Sequence, residues 1–310
     1  PAMFWAFLVC GFIVLVTGYA AGYVAAAMPR SGGGYVTISR VIHPVVGYMG
    51  GWLMYLAEAF SYGLIGVDVM WAITVFYGIA AAPQGISLSP SVQFLGGLAI
   101  VWVFAILALL GTKMYGRLLQ VMFYIPAAIT VLFFAMWIAG AMNPSVVATG
   151  VQEAMGAPPS TFVSVAVSTG MTQNAVGFFS AFSYALPGAF WAYMGWYATT
   201  FLAGEVKEAN KKLPLVVVSA GVITILVYLL ASSLSAIATL NVATRTIGGH
   251  TWGFFQSYAW LSYPPSDPAI KSAVAAAKAA IPNLNFQGAW STGIASMISI
   301  GLGQGWLAYI

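Results

Sequence analysis

The stretch MFWAFLVCGFIVLVTGYAAGYVAAAM, residues 3–28, contains no charged residue. About 20 predominantly apolar residues are enough to cross the hydrocarbon core of a bilayer as one helix. The rest of the chain has the same character, because 61% of its residues are hydrophobic and only 5% are charged. A soluble domain carries about 25% charged residues, and the charged residues here are too few to cover a soluble surface. The sequence therefore predicts a multi-pass membrane protein.

Seven apolar segments follow one another along the chain. They predict an all-α, polytopic transmembrane helix bundle with spans at residues 3–28, 45–81, 93–110, 118–141, 178–203, 213–240 and 286–310. The polar-leaning stretch 143–174 is predicted to be a connecting loop. His43, just before a proline, predicts the start of a helix. Asp267, also before a proline, predicts a short helix at the membrane surface over residues 267–282.

Basic residues flank alternate connections between these segments. The first, third and fifth connections carry Arg30, Arg40, Lys113, Arg117, Lys207, Lys211 and Lys212. The connections at 82–92 and 143–174 carry none. Because Lys and Arg concentrate in cytoplasmic loops, this pattern predicts that Pro1 lies outside. The first span is not preceded by an initiator Met or a signal peptide, and the last segment stops at Ile310. We therefore expect a fragment of a larger polytopic protein, with at least one earlier span.

The composition also limits the classes of function. The formal charge of +4 reflects the scarcity of acidic residues rather than a basic patch, so the sequence predicts no nucleic-acid partner. A single cysteine, Cys10, excludes an internal disulfide and a cysteine-based zinc site. The two histidines, His43 and His250, lie near interfaces or in loops, and no lysine lies inside a span. We therefore predict no metal, no cofactor and no enzymatic activity.

Glu58 is the most informative single residue, because it lies about 20 Å into a hydrocarbon core of about 30 Å. A carboxylate at that depth is costly and is a functional candidate by default. Helical spacing places Ser61, Tyr62 and Asp68 on the same side, which predicts a polar stripe facing a cavity. The alternative is a carboxyl group that is hydrogen-bonded inside the bundle and purely structural. Asp68, about 15 Å further along the helix, is a second candidate for ion coupling.

The segment FSYALPGAFWAYMGW, residues 182–196, carries a second signal. It places Pro187, Gly188 and Gly195 inside an apolar span. Such residues can break a transmembrane helix, and the freed peptide groups must then line a cavity. The ends of the two half-helices would present partial charges to a zwitterionic or charged ligand. A packed helix that is merely kinked is the alternative.

At these residues the sequence resembles the amino acid–polyamine–organocation permeases. MPRSGGGYVTISRVIHPVVGYMGGW, residues 28–52, is similar to the signature after the family's second span. AFWAYMGWYATTFLAGEVKEANKKLP, residues 189–214, is similar to its sixth span and the loop that follows. In that loop Glu205, Lys207 and Pro214 match, whereas the sequence after Lys207 departs from the usual Asn-Pro. The resemblance covers nearly the whole chain, as spans two to eight of about twelve.

The resemblance implies a partial five-plus-five inverted-repeat (LeuT-type) fold that lacks the first span and the C-terminal spans. It implies a secondary active transporter in the cell membrane that moves amino acids or related amines by alternating access. The small-molecule substrate would contact the broken sixth span and the third span, through Trp191, Ala192, Tyr193, Met194, Gly195, Trp196, Glu58 and Tyr62. Backbone carbonyl groups would accept the substrate's ammonium group, and the two tryptophans would form walls or gates. The helix at 267–282 would match the family's outer lid.

The resemblance leaves the coupling ion open between a proton and sodium. Some members carry a lysine in the span that matches residues 118–141 in place of a sodium ion, and this chain has none there. A sodium site would use hydroxyl groups of the last span, from Ser291, Thr292, Ser296 or Ser299. The coupling candidates are Glu58, Asp68, Ser296 and Ser299. An ion channel or a non-transporting membrane subunit remains the alternative to a permease.

Overall fold

The structure is a computed structural model that describes residues 2–81, 89–109, 111–171, 177–247, 249–262, 264, 266–280, 298 and 301–303. Its α-helices are α1 (Ala2–Ala27), α2 (Gly33–Val41), α3 (Pro44–Ala81), α4 (Pro90–Leu109), α5 (Thr112–Met142), α6 (Pro144–Met155), α7 (Pro159–Ser168), α8 (Phe178–Ala192), α9 (Ala209–Leu240), α10 (Phe254–Ser262) and α11 (Pro268–Ala280). A 3₁₀-helix, Trp196–Glu205, lies between α8 and α9. Two three-residue strands, β1 (Arg245–Ile247) and β2 (His250–Trp252), form an antiparallel hairpin.

The architecture is that of an all-α polytopic membrane protein. In the described part of the chain, five helices are long and apolar enough to cross a membrane: Ala2–Ala27, Pro44–Met70, Pro90–Leu109, Lys113–Met142 and Ala209–Leu240. Their outer faces expose large apolar side chains, such as Phe12 (67% exposed) and Phe123 (64%), which suit contact with lipid rather than water. The span expected at 286–310 lies outside the described residues except for 298 and 301–303.

Two helix starts that the sequence predicts are confirmed. The Nδ1 atom of His43 accepts a hydrogen bond from the backbone N–H of Val45, at 3.2 Å, at the start of α3. Oδ1 of Asp267 accepts one from the N–H of Ala269, at 2.8 Å, at the start of α11. The first N–H groups of a helix have no partner inside it, so each side chain satisfies a group that would otherwise be unpaired.

The prediction of a loop over residues 143–174 is wrong, because this stretch contains α6 and α7. Each helix begins at a proline, which is favoured in the first turn because it needs no N–H donor there. Val147, Val151 and Met155 recur every fourth residue on α6, and all three are buried. That spacing places them on one face, so packing of this face stabilises a helix whose overall composition is weakly apolar.

The described residues divide into two units. The first contains Pro1–Ser61 and Val176–Ser233, and the second contains Tyr62–Ala175 and Leu234–Ile310. In the first unit, α1 packs along α8, and both α1 and α2 contact the 3₁₀-helix. The first unit therefore contains the segment that the sequence predicts to be broken, together with the helices that support it.

In the second unit, α7 packs on α10 around a buried apolar core. The rings of Phe162 and Phe254 meet edge to face, with their centroids 5.2 Å apart. The indole Nε1–H of Trp260 donates a hydrogen bond to Oγ1 of Thr169, at 3.0 Å. The short helices α6, α7 and α10, which follow α5, thus share one buried apolar core.

Candidate functional site

The helix that the sequence predicts to be broken does end in the middle of its apolar segment. α8 stops at Ala192, residues 193–195 form a turn, and the 3₁₀-helix begins at Trp196. Gly195 has φ 101°, in the left-handed region that glycine adopts readily and other residues adopt at a cost. Pro187 lies inside α8 without ending it. The interruption is therefore tied to the conformation of Gly195 rather than to the proline.

The last carbonyl groups of α8 have distinct partners at this interruption. The carbonyl oxygen of Phe190 accepts the N–H of Tyr193 at 3.2 Å, and that of Trp191 accepts the N–H of Met194 at 3.0 Å. The next carbonyl, of Ala192, accepts the hydroxyl group of Tyr228 at 2.7 Å. Tyr228 belongs to α9, so a side chain from another helix donates a hydrogen bond to a backbone carbonyl at the break.

The side chain of Tyr193 is turned into the protein, where it is only 2% exposed. Its hydroxyl donates to the backbone oxygen of Phe7 on α1, at 3.0 Å. Its ring meets the rings of Phe7 and Tyr228 nearly edge to face, with centroid distances of 6.1 and 5.1 Å. What Tyr193 offers to a ligand in this structure is therefore its backbone, whereas its side chain anchors the turn to α1.

Small residues of α1 allow this close contact. A Cβ atom added to Gly11 would lie 2.8 Å from the hydroxyl oxygen of Tyr193 and 2.8 Å from Cγ1 of Ile225. The neighbouring Cys10 is fully buried, and its thiol lies 3.9 Å from the backbone oxygen of Leu186, within reach of a weak hydrogen bond. Close packing of small residues is the usual basis of helix association in membranes.

The other predicted residues of the break lie beside it. Trp191 and Met194 are 47% and 42% exposed, so their side chains are accessible from outside the packed unit. Trp196 is the first residue of the 3₁₀-helix, and its side chain lies outside the described part of the structure. The structure therefore brings the backbone of residues 191–196 together at one turn.

Other residues that the sequence predicts to bind substrate or couple an ion lie on α3, not on the interrupted segment. Glu58 is partly buried, whereas Tyr62 and Asp68 are exposed. Ser296 and Ser299 lie outside the described residues. Within the part of the chain that is described, no three His, Cys, Asp or Glu side chains are grouped so that they could hold a metal ion.

Two residues with a place in this site were missed by sequence reasoning. Tyr228 lies in the apolar run ILVYLL, where an isolated tyrosine in a span was a signal that its hydroxyl needs a partner. Thr199 lies on the 3₁₀-helix, and its buried Oγ1 atom has no hydrogen-bond partner among the described residues. A threonine in an apolar span gives little sequence signal, because its hydroxyl usually bonds to its own helix.

The glycine-rich connection after α1 packs against the 3₁₀-helix that follows the break. The N–H of Gly32 donates to the backbone oxygen of Phe201 at 3.2 Å. Gly33 has φ 53°, and a Cβ atom there would lie 2.7 Å from the ring of Phe201. The two segments that carry the family resemblance, residues 28–52 and 189–214, are therefore in contact, and glycine is required at this contact.

A comparison with curated proteins found no similar sequence. The family model described as "Amino acid permease" matches residues 1–300, which include the whole interrupted segment and the helix that carries Glu58. This match confirms the resemblance seen in the two sequence motifs. The family is one of transporters rather than enzymes. The chain therefore belongs to the amino acid permease family and is a multi-pass membrane transporter of amino acids.

Proposed function

We propose that the protein is a secondary active transporter that moves amino acids or related amines across the cell membrane by alternating access, driven by a proton or sodium gradient. The observation that carries this proposal is the interruption at Gly195 of one apolar segment, between α8 and the 3₁₀-helix. Membrane proteins keep interrupted backbone only where it is buried in protein or lines a water-filled cavity. Transporters use such half-helix ends to bind solutes near the middle of the bilayer.

The length of α8 fits a binding site inside the bilayer. α8 has 15 residues, which at about 1.5 Å per residue extend about 22 Å. Because the hydrocarbon core is about 30 Å thick, a helix of this length ends before it has crossed the core. The 3₁₀-helix then continues the segment. Its 10 residues, at about 2.0 Å each, extend about 20 Å, so a solute bound at the turn would be about equally far along the chain from the two ends of the segment.

The charges at the break suit an amino acid. The C-terminal end of α8 carries partial negative charge, and the start of the 3₁₀-helix carries partial positive charge. A zwitterion has an ammonium group and a carboxylate group that can contact these two ends. We propose the backbone of residues 192–195 as the polar contact, with Trp191, Met194 and Trp196 as the walls. Glu58 and Tyr62 are the proposed contacts from α3.

Uptake by the protein produced from its full-length gene, purified and reconstituted in liposomes, tests this proposal directly. Proton and sodium gradients are imposed separately, and a panel of radiolabelled amino acids and amines is supplied. We expect uptake that saturates with substrate concentration and that accumulates substrate only with one of the two gradients. Flux that does not saturate, or that ignores both gradients, would support a channel and contradict the proposal.

Glu58 provides the first prediction, since we propose that its carboxyl group couples a proton or balances a cationic substrate. Glu58→Gln is expected to abolish either the pH dependence of uptake or the uptake of cationic substrates, because it removes the charge and keeps the shape. Asp68→Asn tests the second coupling candidate in the same assay. Glu153→Gln, at an exposed carboxylate on α6, is the matched control and should leave uptake unchanged. Wild-type uptake by Glu58→Gln across pH and substrates would refute this role.

Thr199 provides the second prediction. An unpaired buried hydroxyl costs about 1–3 kcal/mol, which a ligand that bonds to it would recover. Thr199→Val keeps the shape of the side chain and removes this hydroxyl. We expect thermal stability to be unchanged or higher and the KM for substrate or coupling ion to rise. Thr199→Ser should retain wild-type affinity. If the valine variant binds normally, Thr199 is not a ligand.

A further inference from the structure

The hydroxyl of Tyr228 donates to the last carbonyl of α8, which in an unbroken helix would accept a backbone N–H. In a continuous α-helix the carbonyl of Ala192 would accept the N–H of residue 196, four positions later. In this structure the same carbonyl accepts the Tyr228 hydroxyl at 2.7 Å. Tyr228 therefore provides this carbonyl with a hydrogen-bond donor at the point where α8 stops, and a carbonyl in a membrane protein is costly to leave unpaired.

Two aromatic contacts fix the position of that hydroxyl. The ring of Tyr228 lies 5.3 Å from the ring of Phe7 on α1 and 5.1 Å from the ring of Tyr193 in the turn. Tyr193 in turn bonds to the backbone of Phe7. All three rings belong to the first unit. The ring of Tyr228 is thus packed against α1 and against the turn itself. Its side chain therefore loses little conformational entropy when the hydroxyl bonds to Ala192.

We propose that Tyr228 is a positioning residue that favours interruption of the helix at Ala192, because its hydroxyl gives the last carbonyl of α8 a hydrogen-bond donor when α8 stops there. Without the hydroxyl, the Ala192 carbonyl is satisfied most readily by the N–H of Trp196, which rebuilds a continuous helix. Only the interrupted form presents half-helix ends to a solute. The population of binding-competent protein therefore depends on this hydroxyl, and apparent affinity falls in proportion to that population.

The Tyr228 contact also assigns a defined role to the Ala192 carbonyl. One of its lone pairs is used by Tyr228, so that oxygen is oriented before any substrate arrives. An ammonium group at the break would find the carbonyl already fixed in direction, which lowers the cost of ordering the site on binding. This consequence for affinity rests on the proposed function, whereas the effect on the helix does not.

Tyr228→Phe tests the proposal, because it removes the hydroxyl and keeps the ring packing. Hydrogen exchange of the protein in lipid nanodiscs, without substrate, reports on the amides of residues 193–197. We expect these amides to exchange more slowly in the variant than in the wild type. In uptake assays we expect the KM to rise by about 3- to 10-fold, the usual worth of one neutral hydrogen bond, with Vmax per folded protein unchanged.

Two matched variants isolate the effect. Tyr184→Phe changes a tyrosine of α8 that is 83% exposed, and it should alter neither measurement. Tyr193→Phe removes the bond to Phe7 but leaves the bond from Tyr228 to Ala192, so it should not slow exchange in the turn. Unchanged or faster exchange in folded Tyr228→Phe would overturn the inference, whatever the protein transports. Slower exchange in a protein that takes up no amino acid or amine would instead refute the proposed function and leave the inference standing.

Discussion

Gly195→Val is expected to lower uptake at least about tenfold while the protein remains folded in the membrane. At φ 101° an L-residue bears a strain of roughly 1–2 kcal/mol, and a β-branched residue bears more. Since about 1.4 kcal/mol corresponds to tenfold, the interrupted conformation should lose at least about tenfold in population relative to a continuous helix. A Cβ atom at Gly195 would meet no other atom within 4 Å. The loss would therefore come from the backbone and not from crowding.

The controls for this prediction lie on the same segment. Gly188 is inside α8, and a Cβ atom there would also meet nothing within 4 Å, so Gly188→Ala should leave uptake unchanged. Asparagine tolerates the left-handed region better than valine, so Gly195→Asn should retain more uptake than Gly195→Val. Uptake and substrate affinity are measured in liposomes, with the folded fraction taken from size-exclusion chromatography. Equal activity of the asparagine and valine variants would contradict a role for the backbone conformation.

The large features of this fold follow from the sequence because they depend on one strong signal. Long uncharged runs predict helices, and the predicted span at 3–28 corresponds to α1 within one residue at each end. Single residues next to a helix, such as His43 and Asp267, also predicted the starts of α3 and α11 correctly. α6 and α7 were missed because average composition hides a buried face, although the spacing of Val147 and Val151 contained that information.

The site was only partly predictable, for a physical reason. Glycine and proline indicate where a helix can break, but they do not decide between positions, and the structure interrupts the helix at Gly195 while Pro187 stays helical. That choice depends on partners far along the chain. Tyr228 is 36 residues beyond Ala192, and Phe7 is 186 residues before Tyr193. Local patterns cannot reveal such contacts: the sequence could indicate that the Tyr228 hydroxyl needs a partner, but not that this partner is the Ala192 carbonyl.

A second close approach, between α3 and α4, should make this part of the second unit sensitive to substitution. A Cβ atom on Gly66 would lie 2.9 Å from the backbone oxygen of Gly97, and one on Gly97 would lie 3.0 Å from the backbone carbon of Gly66. Both glycines are buried. Backbone atoms cannot move aside as the end of a flexible side chain can, so any larger residue must push the two helices apart.

Gly66→Val is therefore expected to lower the thermal stability of the protein by several degrees and to reduce the yield of folded protein. Overpacking typically costs about 1–3 kcal/mol, and helices in a membrane depend mainly on close van der Waals packing. Gly63→Val is the matched control on the same helix, because a Cβ atom there would meet nothing within 4 Å. Both variants place valine inside α3, so a difference between them in a fluorescence-based melting assay reports the helix crossing. Equal melting temperatures would show that α3 and α4 do not depend on this contact, and Gly97→Val would then be expected to be harmless as well.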